Sequence, residues 1–80
     1  MDVKLIQGSF SQQEALDLLQ SMISVKIKFH EGKINSSSNE EDIKMRENRI
    51  KALQHELATI RHRIKNGLDH LEIKSIIEIN

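Results

Sequence analysis

The sequence predicts an α+β fold that is mostly helical, with the element order strand, helix, helix, strand. Three observations lead to this prediction. Branched aliphatic residues recur every seven positions through the second half of the chain, apolar residues alternate with polar ones near both termini, and one short polar segment lies between. The helices would form a long antiparallel hairpin, and the terminal strands would pair antiparallel as a two-stranded ribbon. All 80 residues are expected to form one domain.

Residues 2–8 are predicted to form the first strand, which would end at Gly8. Val3 and Leu5 would lie on one face of it, and Ile6 breaks the alternation. The next boundary is the clearest in the chain, because Ser11 and Glu14 have the spacing of a capping box at a helix start.

The first helix is predicted over residues 12–33. Within it, Val25, Ile27 and Phe29 alternate with charged or polar residues, which is also typical of a strand. No turn signal interrupts residues 24–30, so a continued helix is favoured over a strand.

The second helix is predicted over residues 40–67, after a polar connection in which Ser38 or Asn39 would cap its start. Leu68 and Leu71 would extend it by a further turn. Its apolar seam, with a spacing that predicts packing along another helix, consists of Ile43, Ile50, Leu53, Leu57, Ile60, Ile64 and Leu71. The residues expected to carry the helix contact are Ile50, Leu53, Leu57, Ile60 and Ile64.

Residues 72–79 are predicted to form the last strand, which contributes Ile73, Ile77 and Ile79 to a sheet interface. A ribbon of two strands is marginally stable and leaves two open edges. We therefore expect two copies to join their ribbons across a twofold axis into a four-stranded sheet.

The composition also favours self-association. A chain of 80 residues with no Cys has neither disulfides nor thiolate metal sites to support a small core, which favours self-association. Residues 1–42 carry a net charge of −3 and residues 43–80 one of +3. No apolar run is long enough to cross a membrane, and no signal peptide is apparent, so a cytoplasmic location is expected.

Four short patterns resemble a family of short uncharacterised bacterial proteins. They are Gly8-x-Phe10-Ser11-x-x-Glu14-Ala15, Lys26-Ile27-x-Phe29-His30-x-x-Lys33, Arg49-Ile50-x-x-Leu53 and Ile73-x-Ser75-x-Ile77-x-Ile79. The resemblance spans most of the chain. It implies a strand–helix–helix–strand arrangement and supplies no activity.

The residues that could carry chemistry do not form a catalytic pattern. His55 and His62 are seven positions apart, about 10 Å along a helix, which is too far for one metal ion. They are expected to be solvated, with a zinc site between two chains as the alternative. His30 would lie nearer the apolar side. No phosphate-binding loop or nucleophile–base pair is present, so no enzyme, cofactor or metal site is expected.

The function that the sequence favours is therefore a homo-oligomeric protein–protein interaction or structural module, with itself and possibly another protein as partner. The alternative is weak nucleic-acid binding by the basic second helix. Its contacts would be Lys44, Arg46, Arg49, Lys51, Arg61, Arg63 and Lys65. These residues do not share one face, and the helix has no aromatic side chain on which a base could stack.

Overall fold

A computed structural model describes residues 1–67 and 69–80. Its elements are β1 (Asp2–Ser11), α1 (Gln12–Ser36), α2 (Glu40–Lys65) and β2 (His70–Glu78). The strands pair antiparallel in a two-stranded sheet. The predicted α+β fold, with its helical hairpin and terminal ribbon, is confirmed.

Strand β1 continues directly into α1 through the predicted capping box. Ser11 Oγ accepts the Glu14 backbone N–H at 3.1 Å, and Glu14 Oε1 accepts the Ser11 N–H at 3.0 Å. The Ser11 backbone N–H, which donates to the carboxylate, is the main cause that lowers the pKa of the Glu14 carboxyl group, and the Ser11 hydroxyl lowers it further. The strand does not end at Gly8 as predicted. Gly8 instead stays in the ladder opposite Ile73 with a φ of +152°, a conformation that glycine adopts without strain.

Helix α1 is continuous through residues 24–30 and ends at Ser36, three residues beyond the predicted end. The Ser37 N–H then donates to the Ile34 carbonyl at 3.1 Å and closes the last turn. One consequence is that Val25 and Phe29, four residues apart on the helix, both have exposed side chains.

Helix α2 begins after Asn39, whose Oδ1 accepts the backbone N–H groups of Glu41 and Asp42 at 2.9 and 3.2 Å. It ends at Lys65, two residues before the predicted end, and Asn66 caps it. The prediction that Leu71 extends this helix is wrong, because Leu71 pairs with Phe10 in the ribbon. Leu68 lies outside the described residues.

The ribbon contains a β-bulge at Leu5. Lys4 pairs with Ile76 and Ile6 pairs with Ser75, so Leu5 is an extra residue in β1. The extra residue brings Val3 and Ile6 to the same face of the ribbon. This corrects the prediction that Val3 shares its face with Leu5. Ile6 is 6% exposed and Leu5 is 49% exposed. Strand β2 begins at His70, two residues earlier than predicted, and ends one residue earlier, at Glu78.

The chain forms a thin molecule with a small core. Its Cα trace measures 46 × 33 × 13 Å, and its radius of gyration is 15.1 Å, against about 12 Å for a compact domain of this length. The buried hydrophobic residues among those described are Ile6, Ala15, Leu53 and Ile64. No helix in the described part of the chain is long and apolar enough to span a bilayer.

Candidate functional site

The predicted helix-packing residues lie along the hairpin to different depths. Leu53 and Ile64 are buried, and Ile50, Leu57 and Ile60 are half-buried. Helices α1 and α2 contact each other along the hairpin. The seam is therefore covered only in part within one chain.

The predicted sheet residues separate into two groups. Ile73 is half-buried, whereas Ile77 and Ile79 are exposed. The exposed pair belongs to a cluster at the end of the ribbon farthest from the helices, which we call the ribbon tip. It consists of Met1, Leu5, Ile76, Ile77 and Ile79.

The ribbon tip exposes an isoleucine on each face, and on one face the exposed Lys4 is the strand partner of that isoleucine. Ile76 and Ile77 are consecutive strand residues, so their side chains point to opposite faces of the ribbon. Ile76 is 47% exposed and Ile77 is 41% exposed. Hydrogen bonds between Met1 and Ile79 hold the two chain ends together, with Ile79 N–H donating to the Met1 carbonyl at 2.7 Å and the Met1 ammonium donating to the Ile79 carbonyl at 2.8 Å.

The accessible surface is large for the mass. The chain exposes 6386 Å², whereas a compact monomer of 9.3 kDa exposes about 5,000 Å². The excess of about 1,400 Å² is larger than the roughly 800 Å² that each partner contributes to a standard protein interface. The free chain thus leaves an interface-sized area in water.

The histidines lie apart from one another. His55 and His62 are exposed, as predicted, and no group of His, Cys, Asp or Glu side chains within residues 1–67 and 69–80 could hold a metal ion. Glu14 serves the capping box, and Asp17 accepts a hydrogen bond from Gln13 Nε2 at 2.8 Å.

His30 is half-buried between the two helices. Arg46 Nη1 donates to His30 Nδ1 at 3.0 Å, because a guanidinium has no acceptor. Desolvation is the main cause that lowers the pKa of His30, and the positive charges of Arg46, Lys26 and Arg49 lower it further. These three cations therefore act on one imidazole.

Phe29 lies beside this group with an exposed ring. Its centroid is 5.6 Å from Lys33 Nζ and 5.8 Å from Arg46 Cζ, both within cation–π range. The His30 ring meets it edge-on, with 5.6 Å between centroids and 67° between planes. Arg46 also forms an ion pair with Asp42 at 3.7 Å from Nε, which is beyond hydrogen-bond distance.

A groove of about 360 Å³ opens at this position between α1 and α2, and we call it the Phe29 groove. The residues that line it include Lys26, Phe29, His30, Arg49, Leu53 and Glu56. A larger depression of about 530 Å³ lies along α1 alone and contains no His or Arg. The Phe29 groove combines apolar, aromatic and cationic side chains, and both helices contribute to it.

The basic residues proposed for nucleic-acid contact differ in their exposure and in their distance along α2 from the Phe29 groove. Arg46 is half-buried, and Lys44, Arg49, Lys51, Arg61, Arg63 and Lys65 are exposed. Only Arg49 lines the Phe29 groove. Lys26, Phe29 and Lys33 could not be predicted as companions of Arg46 and Arg49, because they belong to the other helix.

Comparison of the chain with protein-family models, with curated proteins and with solved structures gave no match. The resemblance to a bacterial family therefore stays a prediction, and the functional argument depends on the geometry of the chain itself.

Proposed function

We propose that the protein is a non-catalytic interaction module that works as a homodimer, with the ribbon tip as its contact surface. The observation that carries the proposal is the presence of an exposed isoleucine on each face of the tip, Ile76 on one and Ile77 on the other. Large apolar patches on a small protein usually mark an interaction site.

A second copy is the occupant that the exposed area favours. The surface in excess of a compact monomer, about 1,400 Å², is within the range that each subunit buries in an obligate dimer. A twofold axis makes one patch serve both partners. Joining the ribbons only edge to edge would leave both faces of the tip in water, so the partner must also cover those faces.

Three of the acidic groups have structural roles. Glu14 and Asp42 belong to helix starts, and Asp17 is held by Gln13. These three groups serve local structure, which supports a role without catalysis for them.

The proposal is tested by sedimentation velocity and light scattering. The chain is measured between about 1 and 100 µM, a range on the order of typical dimer affinities. We expect a particle of twice the 9.3 kDa chain mass. The variants Ile76→Thr and Ile77→Thr keep a β-branched residue in the strand and remove apolar area, so each should weaken the dimer at least about tenfold.

The matched control is Glu72→Thr, which changes an exposed residue of the same strand away from the tip. It should leave the dimer affinity unchanged. A chain that stays monomeric throughout this concentration range would refute the proposal.

A further inference from the structure

We propose that the Phe29 groove binds a nucleotide unit, with the base against Phe29 and the phosphate between Lys26 and Arg49. This site uses residues of the hairpin alone and goes beyond the dimerisation proposed above. The ligand chemistry is shared by a free mononucleotide and by one unit of a single strand.

Positive charge converges on the groove from both helices. Lys26 comes from α1 and Arg49 from α2, and both act on the imidazole of His30. The single ion pair in the described part of the chain joins Arg46 to Asp42, so neither Lys26 nor Arg49 forms one. Glu56 is the acidic side chain that lines the groove with them. Phosphate oxygens accept charge-assisted hydrogen bonds from both ammonium and guanidinium groups.

The groove also offers what a base requires. Phe29 is 57% exposed, and Leu53 and Ala52 from α2 contribute apolar surface beside it. Base–aromatic stacking tolerates any base because each has a π face. Glu56 lies in the same groove and can accept a hydrogen bond from an N–H group of the base, such as N3–H of uracil or thymine.

The size agrees with this ligand. A volume of about 360 Å³ lies at the lower end of the range for small-molecule sites, which is about 300–1,000 Å³. A groove of this size holds one nucleotide, so a longer strand would have to continue along the surface outside it.

Two probes distinguish a free mononucleotide from one unit of a single strand as the ligand. Uridine monophosphate is titrated into the isotope-labelled chain with amide chemical shifts as the readout, and fluorescein-labelled dT12 is titrated with anisotropy, both at about 50 mM salt. Saturable shifts confined to the groove with equal affinity for both probes indicate a free nucleotide. Tighter binding of dT12, weakened at about 200 mM salt, indicates a strand.

Matched variants locate the site. Arg49→Gln should weaken binding of both probes about tenfold. The control Lys51→Gln removes the same charge from α2 outside the groove and should weaken binding less than about twofold. Phe29→Leu keeps an apolar helix-forming residue and should weaken binding at least about fivefold, with Val25→Ala as its control. Circular dichroism checks that each variant folds.

Three results would overturn the proposal. One is the absence of saturable binding of both probes at low salt. Another is an equal loss of binding in Arg49→Gln and Lys51→Gln, which would show non-specific charge attraction. The last is a change in dimer affinity caused by Phe29→Leu without any probe binding, which would make the groove a packing surface. Dimerisation of the ribbon tip is measured separately, so the failure of either proposal is distinguishable.

Discussion

Arg46 and His30 connect the two helices near the closed end of the hairpin, where Nη1 of the arginine donates to Nδ1 of the histidine at 3.0 Å. The two residues are 16 positions apart in sequence. The bond requires an unprotonated Nδ1, so it depends on the neutral form of the imidazole.

Acidification should weaken the fold through His30. Its pKa in the folded chain is lowered from the ordinary value of 6.5, so just below that pH the unfolded chain binds more protons than the folded one. Stability then falls as the pH drops. We expect a lower denaturation midpoint at pH 5.5 than at pH 7.5, both roughly one unit from the ordinary histidine pKa. This range stays above the region in which the Glu14 carboxyl group titrates.

The variant His30→Asn isolates this effect, because the amide oxygen of asparagine accepts a hydrogen bond without titrating. It should flatten the pH dependence, whereas the same change at the exposed His55 should preserve it. An unchanged slope in His30→Asn would assign the effect to another group.

The capping box at the start of α1 should contribute measurably to stability. Ser11→Ala removes the acceptor for the Glu14 N–H and should lower the free energy of unfolding by about 1 kcal/mol. Ser9→Ala, at an exposed position of the same strand, is the control. Chemical denaturation of both variants provides the measurement, and equal stabilities would contradict the assigned role.

The apolar seam should be indispensable to the hairpin. Leu57→Asp places a charge on the partly covered surface between the helices and should abolish cooperative unfolding. Leu53→Ala leaves a cavity at a buried position and should cost about 2–4 kcal/mol. Gln54→Ala, at the exposed neighbouring position, is expected to be neutral. A Leu57→Asp chain with full helicity and a sharp thermal transition would reject the seam as a packing surface.

The bulge predicts an unusual tolerance to deletion. Removing Leu5 should restore a regular ladder with the same partners on either side, because Leu5 is the extra residue between Lys4 and Ile6. Removing Gln7 instead shifts the register and moves half of β1 to the other face. Thermal unfolding monitored by circular dichroism should show a cooperative transition for the Leu5 deletion and a much weaker one for the Gln7 deletion.

The parts of the fold that depend on local contacts could be predicted from the sequence. The bonds between Ser11 and Glu14 span three residues, so their spacing alone indicates the helix start. The bulge at Leu5 could not be predicted, because it is defined by the register of a strand about 70 residues away.

The candidate site was harder to predict for a similar reason. Phe29 and Arg49 lie on different helices, and only the packing of the hairpin brings them to one groove. Helix α2 by itself contains no aromatic residue that could accompany its charges. The shared strand face of Ile77 and Ile79 could be predicted from the sequence, because strand alternation is a local pattern.

The hydrogen-bonded ends of the chain have a practical consequence for anyone who handles this protein. An affinity tag or fluorescent fusion attached to Met1 or Asn80 would lie beside the apolar residues of the ribbon tip and would obstruct the dimer contact that we propose there. The loop around Ser38, at the opposite pole of the hairpin, is the safer place for a label.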